Sequence, residues 1–297
     1  MFKRLIVGFR SKVNKYLQRS LIVDELLIFI FSKDRPLQLD LLLKTLGQNV
    51  KGKLNVQVLF NASNVNYENA YKQVFEENDS LNLLAIQETK FRPDMIEILK
   101  KSNCKSIMFL VDDIAFIRPV DADLLVSLSS QGYIVSTRLG KNITHSQTQS
   151  NILVTQPYFK SMIFNDETFL SWYWYKSKSS HWSLPTALDG NVFQLSSLIP
   201  IIESVSFKAP NSLEEALGVY RFVFKFSKAV CYEQPRIVNF PLNSVKTEEF
   251  NFPHMGLDTA EMLSIYEDGG RLDISDFSHD IHNSPHMEWV PKIRNKN

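Results

Sequence analysis

The sequence predicts an α/β protein with a mostly parallel central sheet flanked by helices and followed by a C-terminal extension. Three observations predict it. Short unbroken apolar runs alternate with amphipathic stretches over the first 137 residues. A polar cluster follows each of several of those runs. The 297 residues, 44% hydrophobic and 22% charged, can also bury one large core.

Each element has its own warrant. Residues 26–31, Leu-Leu-Ile-Phe-Ile-Phe, are apolar throughout, as a strand covered on both faces must be. Pro36 suits the first turn of a helix whose apolar face runs from Leu37 to Leu46. Residues 56–60 read as a second strand ending in polar 61–64, residues 67–77 as a helix and 83–87 as a third strand. A helix over 93–101, a strand over 106–111, a helix over 121–129 and a strand over 133–137 complete the alternation. Consecutive parallel strands need right-handed crossovers, and ligands then bind outside the strands' carboxyl ends. The clusters 32–35, 61–64 and 112–113 should therefore gather along one edge.

Beyond Arg138 the pattern changes. Residues 140–150 are polar and aperiodic, and read as a mobile loop, either an ordinary surface loop or a lid over a ligand. Residues 151–155 suit a strand. A helix is expected over 191–198, and another over 213–226 with Ser212 and Glu215 as a capping box. The expected divisions are 1–24, 25–240 and 241–297, with 25–120 and 121–240 as two functional halves.

Charge and motifs exclude several classes. Thirty-three basic residues against 32 acidic leave a net charge of +1, so no global field favours nucleic acid. Two cysteines make neither a disulfide framework nor a four-thiolate zinc site. Neither a Gly-rich dinucleotide or phosphate loop nor a G-x-S-x-G elbow occurs. Residues 1–23 form a basic amphipathic helix, which either docks on its own domain or lies on an anionic membrane surface. It lacks the apolar stretch of a signal peptide, so a cytoplasmic protein, peripheral to the inner face of a membrane, is expected.

Asp112 and Asp113 end the apolar strand 106–111. Adjacent carboxylates repel, so a divalent cation, ribose hydroxyls or a nearby Lys or Arg must compensate, unless the pair merely opens a turn. Here the chain resembles GT-A-type glycosyltransferases, through residues 28–36 (Ile-Phe-Ile-Phe-Ser-Lys-Asp-Arg-Pro) and 109–114 (Phe-Leu-Val-Asp-Asp-Ile). Residues 187–191, 207–214 and 269–273 are more narrowly similar to a bacterial family of uncharacterised glycosyltransferase-like proteins.

The resemblance implies a GT-A-like (Rossmann-like) fold and a nucleotide-diphosphate sugar donor. It also implies a glycan or lipid-linked acceptor, no nucleic acid, and a role in bacterial surface polysaccharide synthesis. It places Ser32, Lys33, Arg35, Asn61, Asn64 and Asp112 at the nucleotide, and Asp113 at Mn2+ or Mg2+. The third position of the acidic motif is Ile114, where a second acid is usual, so a late ligand is expected, with His286 preferred and His254 next. His279, His282 and His286 also invite a zinc reading. Asp189 resembles the acid before the acceptor-side helix, where a carboxylate takes the acceptor's proton in an inverting transferase and faces the anomeric carbon or orients the sugar in a retaining one, although it also suits an N-cap. Trp172, Tyr173, Trp174, Tyr175 and Trp182 are either a platform for sugar faces or core. Two rivals stay open: a sugar nucleotidyltransferase, and a non-catalytic binding protein of the same fold.

Overall fold

The computed structural model describes residues 22–243 and 257–295. Residues 1–21, which carry most of the expected N-terminal helix, and His254 lie outside the described residues.

The chain begins with β1 (Val23–Lys33), α1 (Pro36–Asn49), β2 (Leu54–Asn61), α2 (Val65–Glu77), β3 (Leu84–Gln87), α3 (Phe91–Lys101) and β4 (Cys104–Val111). It continues with α4 (Ala122–Ser130), β5 (Ile134–Ser136), β6 (Lys160–Phe164), β7 (Glu167–Trp172) and β8 (Asn191–Gln194). Then come α5 (Leu195–Ser204), α6 (Pro210–Val219), β9 (Ala229–Tyr232) and α7 (Thr259–Glu267). The nine strands form one sheet in the order β6-β7-β9-β5-β8-β4-β1-β2-β3. β1 pairs in parallel with β2 and β4, and β2 with β3. β8 runs antiparallel to both β4 and β5, and β7 antiparallel to β9 and β6, so only β7 and β8 oppose the common direction. The α/β class and the mostly parallel sheet are as the sequence predicts.

β1 shows why its run is continuous. Leu26, Ile28 and Ile30 enter the core shared with α1, α2 and α4, whereas Leu27, Phe29 and Phe31 enter the opposite core with α3, α5 and α6. Successive side chains of a strand point to opposite faces, and both faces here are dry. The C-terminal residues join the first core through Met262, Leu263, Tyr266, Leu272, Phe277 and Met287. Arg271 fixes that junction: it pairs with Glu77 at 2.8 Å and Asp40 at 3.6 Å, and lies over the Tyr266 ring. A buried guanidinium needs such partners.

Several local expectations are corrected. Residues 191–194 are strand β8, not the start of a helix, which begins at Leu195. Their backbone finds ladder partners on β4 and β5, and tertiary pairing overrides the local pattern. Helix α6 starts at Pro210, so Ser212 is its third residue, and the Ser212 Oγ accepts from the backbone N–H of Lys208 and Ala209. The segment 140–150 is a pinned element: Ile143 and Ser146 are buried, and Thr144 and His145 donate backbone bonds to the Asn283 carbonyl. The C-terminal chain supplies the order that the polar sequence lacks.

Candidate functional site

The turn after β1 is tight. Asp34 takes a left-handed φ of +53°, which Asp tolerates better than most residues. Its carboxylate accepts from the Ser63 N–H at 2.8 Å and its own N–H donates to the Asn61 carbonyl. Arg35 then precedes α1, with its N–H donating to the Tyr71 hydroxyl at 3.0 Å. Ser32 Oγ donates to Asp112 Oδ2 at 2.8 Å and lies 2.7 Å from the same hydroxyl. Tyr71 O–H therefore donates to Ser32, giving a directed chain from Tyr71 through Ser32 to Asp112. Burial, then the Asp112 charge, pushes the Tyr71 phenol up, so it stays a neutral donor.

Asp112 is 4% exposed and accepts three hydrogen bonds, Oδ2 from Ser32 and the Lys33 N–H, and Oδ1 from Arg35 Nη1 at 3.1 Å, which leaves Oδ1 further acceptor capacity. The same Nη1 stands 3.5 Å from Asp113 Oδ2, while Nη2 donates to the Asn243 carbonyl at 2.5 Å. One guanidinium thus offsets the repulsion between the aspartates, in the planar geometry Arg offers and Lys does not. Asp113 Oδ1 accepts from Asn239 Nδ2 at 2.9 Å. Burial pushes the Asp113 carboxyl up to about 6, with Asp112 and Asp189 adding repulsion and Arg35 opposing both.

Asp189 enters the site through Gly190. Gly190 has a φ of +74°, donates its N–H to the Phe109 carbonyl on β4 and accepts from Thr137 Oγ1 at 2.8 Å. A Cβ there would lie 2.5 Å from Thr137 Oγ1, so only glycine suits the position. Asp189 Oδ2 meets His286 Nε2 at 3.2 Å and Arg138 Nη1 at 3.4 Å. Burial alone would raise the Asp189 carboxyl, but the His286 hydrogen bond and the His286 and Arg138 charges hold it below the ordinary range. Asp189 therefore precedes a strand, and its carboxylate faces these two side chains.

Asn239 joins the two groups. Its side chain holds Asp113, and its backbone accepts from the Met287 N–H at 2.9 Å and donates to the Pro285 carbonyl at 3.0 Å, which seats His286. His181 is buried, its ring 6.4 Å from that of His286. Burial, then Arg138, draws its pKa down to about 3, so it is neutral. Glu214 on α6 completes the set, with burial and then Asp189 pushing its carboxyl up to about 7.

Of the expected site residues, Ser32, Arg35, Asp112, Asp113, Asp189 and His286 come together, and Lys33 joins through its backbone. Asn61 contributes its carbonyl to the turn, and the Asn64 side chain caps α2 by accepting from Asn66 and Tyr67. Trp172, Trp174 and Trp182 are core, all at most 4% exposed, so they form no sugar platform; Tyr173 and Tyr175 remain on the surface. His279 and His282 pack against Phe277, away from His286's bond to Asp189. Tyr71, Arg138, His181, Glu214, Asn239 and Asn243 escape a reading of the sequence, because each arrives through tertiary contact. Glu214 alone lies in a segment with a sequence signal, 207–214. An open hollow of about 590 Å³ between α2 and β3, lined by Phe60, Phe75, Lys72 and Gln87, contains none of the site residues.

A divalent ion finds no ready cage: among the described residues no group of three His, Cys, Asp or Glu could hold one. Asp113 alone offers a fitting donor, a desolvated carboxylate whose Oδ2 has Arg35 no nearer than 3.5 Å. Hard cations such as Mg2+ take one or two carboxylates and fill the rest of their shell with phosphate oxygens and water.

No model of a protein family matches the chain. The chain is similar to glycosyltransferases. Over 194 residues, 60% of its length, it is 28% identical to the bifunctional glycosyltransferase pgtA of Dictyostelium discoideum, and it spans 25% of that protein. Solved structures like it include S. aureus TarS 1-349 in complex with UDP, at a TM-score of 0.47 and 12% identity, covering 72% of this chain and 59% of that one. Another is the mannosyltransferase PcManGT of Pyrobaculum calidifontis with GDP-Man and Mn2+, at a TM-score of 0.32 and 14% identity, covering 47% of this chain and 44% of that one.

Proposed function

We propose that this chain is a nucleotide-sugar-dependent glycosyltransferase that moves a sugar from a nucleoside diphosphate sugar to a glycan or lipid-linked acceptor. The observation that carries the reading is the joining of the β1 turn and the β4 aspartates into one hydrogen-bonded cluster, with Asp189 held beyond them. The similarity to pgtA supports it.

In this reading the donor lies across the carboxyl ends of β1 and β4. Asp112 accepts from ribose hydroxyls, and Arg35 and the turn's backbone face the diphosphate. Asp113 would hold Mg2+ or Mn2+, which when bound neutralises the diphosphate leaving group. Asp189, kept ionised by His286 and Arg138, takes the proton of the acceptor hydroxyl as that oxygen bonds to the anomeric carbon and the bond to the diphosphate oxygen breaks. Residues 25–120 serve the donor and 121–240 the acceptor, and bacterial surface polysaccharide synthesis is the proposed setting.

The test is a thermal-shift panel of nucleoside diphosphates and their sugars, with and without Mn2+. A ligand at a hundred times its Kd should stabilise the fold by about 2.7 kcal/mol. One such ligand should do so for the native chain and not for Asp112→Ala. No response to any nucleotide, or an equal response in the variant, overturns the reading.

A further inference from the structure

Residues 168–188 and 216–232 carry no acid, a feature shared by residues 1–23 and 124–165. At the chain's average of 32 acids in 297 residues, about four would fall within 168–188 and 216–232 together. In their place stand Lys176, Lys178, Arg221, Lys225 and Lys228. The fold brings the two stretches together, with Trp174 Nε1 donating to the Phe224 carbonyl at 3.0 Å. Lys176 Nζ from one stretch and Lys228 Nζ from the other lie over the Tyr173 ring, 5.0 and 5.2 Å from its centre.

Aromatic rings stand among these cations and face outward. Tyr173 is 44% exposed, Tyr175 42%, Phe222 39% and Phe226 85%. Lys176, Lys178, Arg221 and Lys225 are exposed as well. Burying large rings is the ordinary course for a soluble surface, and the neighbouring Trp172, Trp174 and Trp182 follow it. Exposed rings interleaved with long cationic side chains suit the headgroup layer of a bilayer. There the ring enters the apolar boundary while the ammonium reaches lipid phosphate.

We infer that this patch, formed by residues 173–178 and 221–228, docks the protein on an anionic lipid surface. Charge complementarity selects that occupant: five cations and no acid within those residues, facing the negative surface potential of an anionic leaflet. The patch also lies on the acceptor side. Residues 173–178 lead directly to His181, which packs beside His286. The inference goes beyond the transferase reading and does not depend on it, since lipid binding needs neither donor nor turnover.

The experiment is co-sedimentation of the full chain with two vesicle preparations. One is pure phosphatidylcholine, and the other contains about one-third phosphatidylglycerol. The native chain should sediment with the anionic vesicles only. Lys176→Gln, Lys178→Gln, Lys225→Gln and Lys228→Gln combined should weaken its partitioning about tenfold or more. Lys178→Gln with Lys225→Gln spares the Tyr173 contacts and guards against misfolding; it should weaken binding about threefold or more, with the thermal midpoint unchanged. Absence of binding by the native chain overturns the inference. So does equal binding of the double variant, which would assign the membrane contact to another surface such as residues 1–23.

Discussion

The two halves of the sheet are assembled differently. Among themselves β3, β2, β1 and β4 pair in parallel, whereas every pairing from β4 onward except β9 with β5 is antiparallel. In the parallel half the charged residues of the site come from two strand ends, 32–35 and 112–113, with the Tyr71 hydroxyl added from α2. In the mixed half they come one at a time: Arg138 after β5, His181 within a short helix at Ser180–Ser183, Asp189 before β8, Glu214 on α6 and His286 near the C-terminus. Parallel strands bring their carboxyl ends to one edge as a matter of topology. An antiparallel strand sends its amino end there instead, which is how Asp189 at the entry to β8 reaches the same edge as Asp112.

If the halves divide the work as proposed, they should fail differently. The largest effect is expected at Asp189→Asn, which should slow sugar transfer by about 10²–10⁴ while leaving the nucleotide-induced thermal shift in place. Loss of both would erase the division of labour. Arg35→Ala should act on the other half, abolishing the nucleotide shift. It also leaves Asp112 and Asp113 without their shared cation, at a cost of about 3–5 kcal/mol in denaturant unfolding.

The next effect is in pH. Asp113 and Glu214 titrate near 6 and 7 in the folded chain, above their unfolded values, so the folded state holds more protons between about pH 4 and 7. The contribution of these two groups to stability is therefore greatest below that window and falls as pH rises through it, whereas the buried neutral His181 and His282 contribute in the opposite direction up to about pH 6.5. Asp113→Asn should flatten the lower part, raising stability at pH 8 by on the order of 2 kcal/mol, and Glu214→Gln the upper part. Unfolding curves of the native chain and both variants at pH 5, 6.5 and 8 measure this, and a variant-minus-native difference that does not change with pH would contradict the raised carboxyls of Asp113 and Glu214. Gly190→Ala should cost about 1–2 kcal/mol of stability from the positive φ, with the clash of the new Cβ against Ile237 and Thr137 added to it. It should reduce turnover more than nucleotide binding, because it displaces the carboxylate next to it.

The same contrast explains what a reading of the sequence reaches. Strands β1 and β4 were legible because strands buried on both faces are apolar at successive positions, from Leu26 to Phe31 in β1 and from Ile107 to Leu110 in β4. Arg35 and the aspartates were legible because the rule about strand ends needs no side-chain geometry. β8 was not: Asn191 to Gln194 is too short to show a period, and only its partners on β4 and β5 make it a strand. Asn239 and Asn243 were invisible for another reason. An asparagine's amide matters only where the chain brings it, here to Asp113 across 126 residues. The tryptophans show a limit of the opposite kind, since an aromatic run reads alike whether its rings face a ligand or each other, and here Trp172 and Trp182 meet at 5.1 Å.

The reach of Arg35 to the Asn243 carbonyl spans 208 residues, and it bears on the order in which a ribosome makes this protein. All nine sheet strands have been translated by Tyr232, so the scaffold is encoded before Asn239, Asn243 and His286 are added. A nonsense codon just past that point would encode every strand of the central sheet yet strip Asp113 of its amide, Arg35 of its carbonyl and Asp189 of its imidazole.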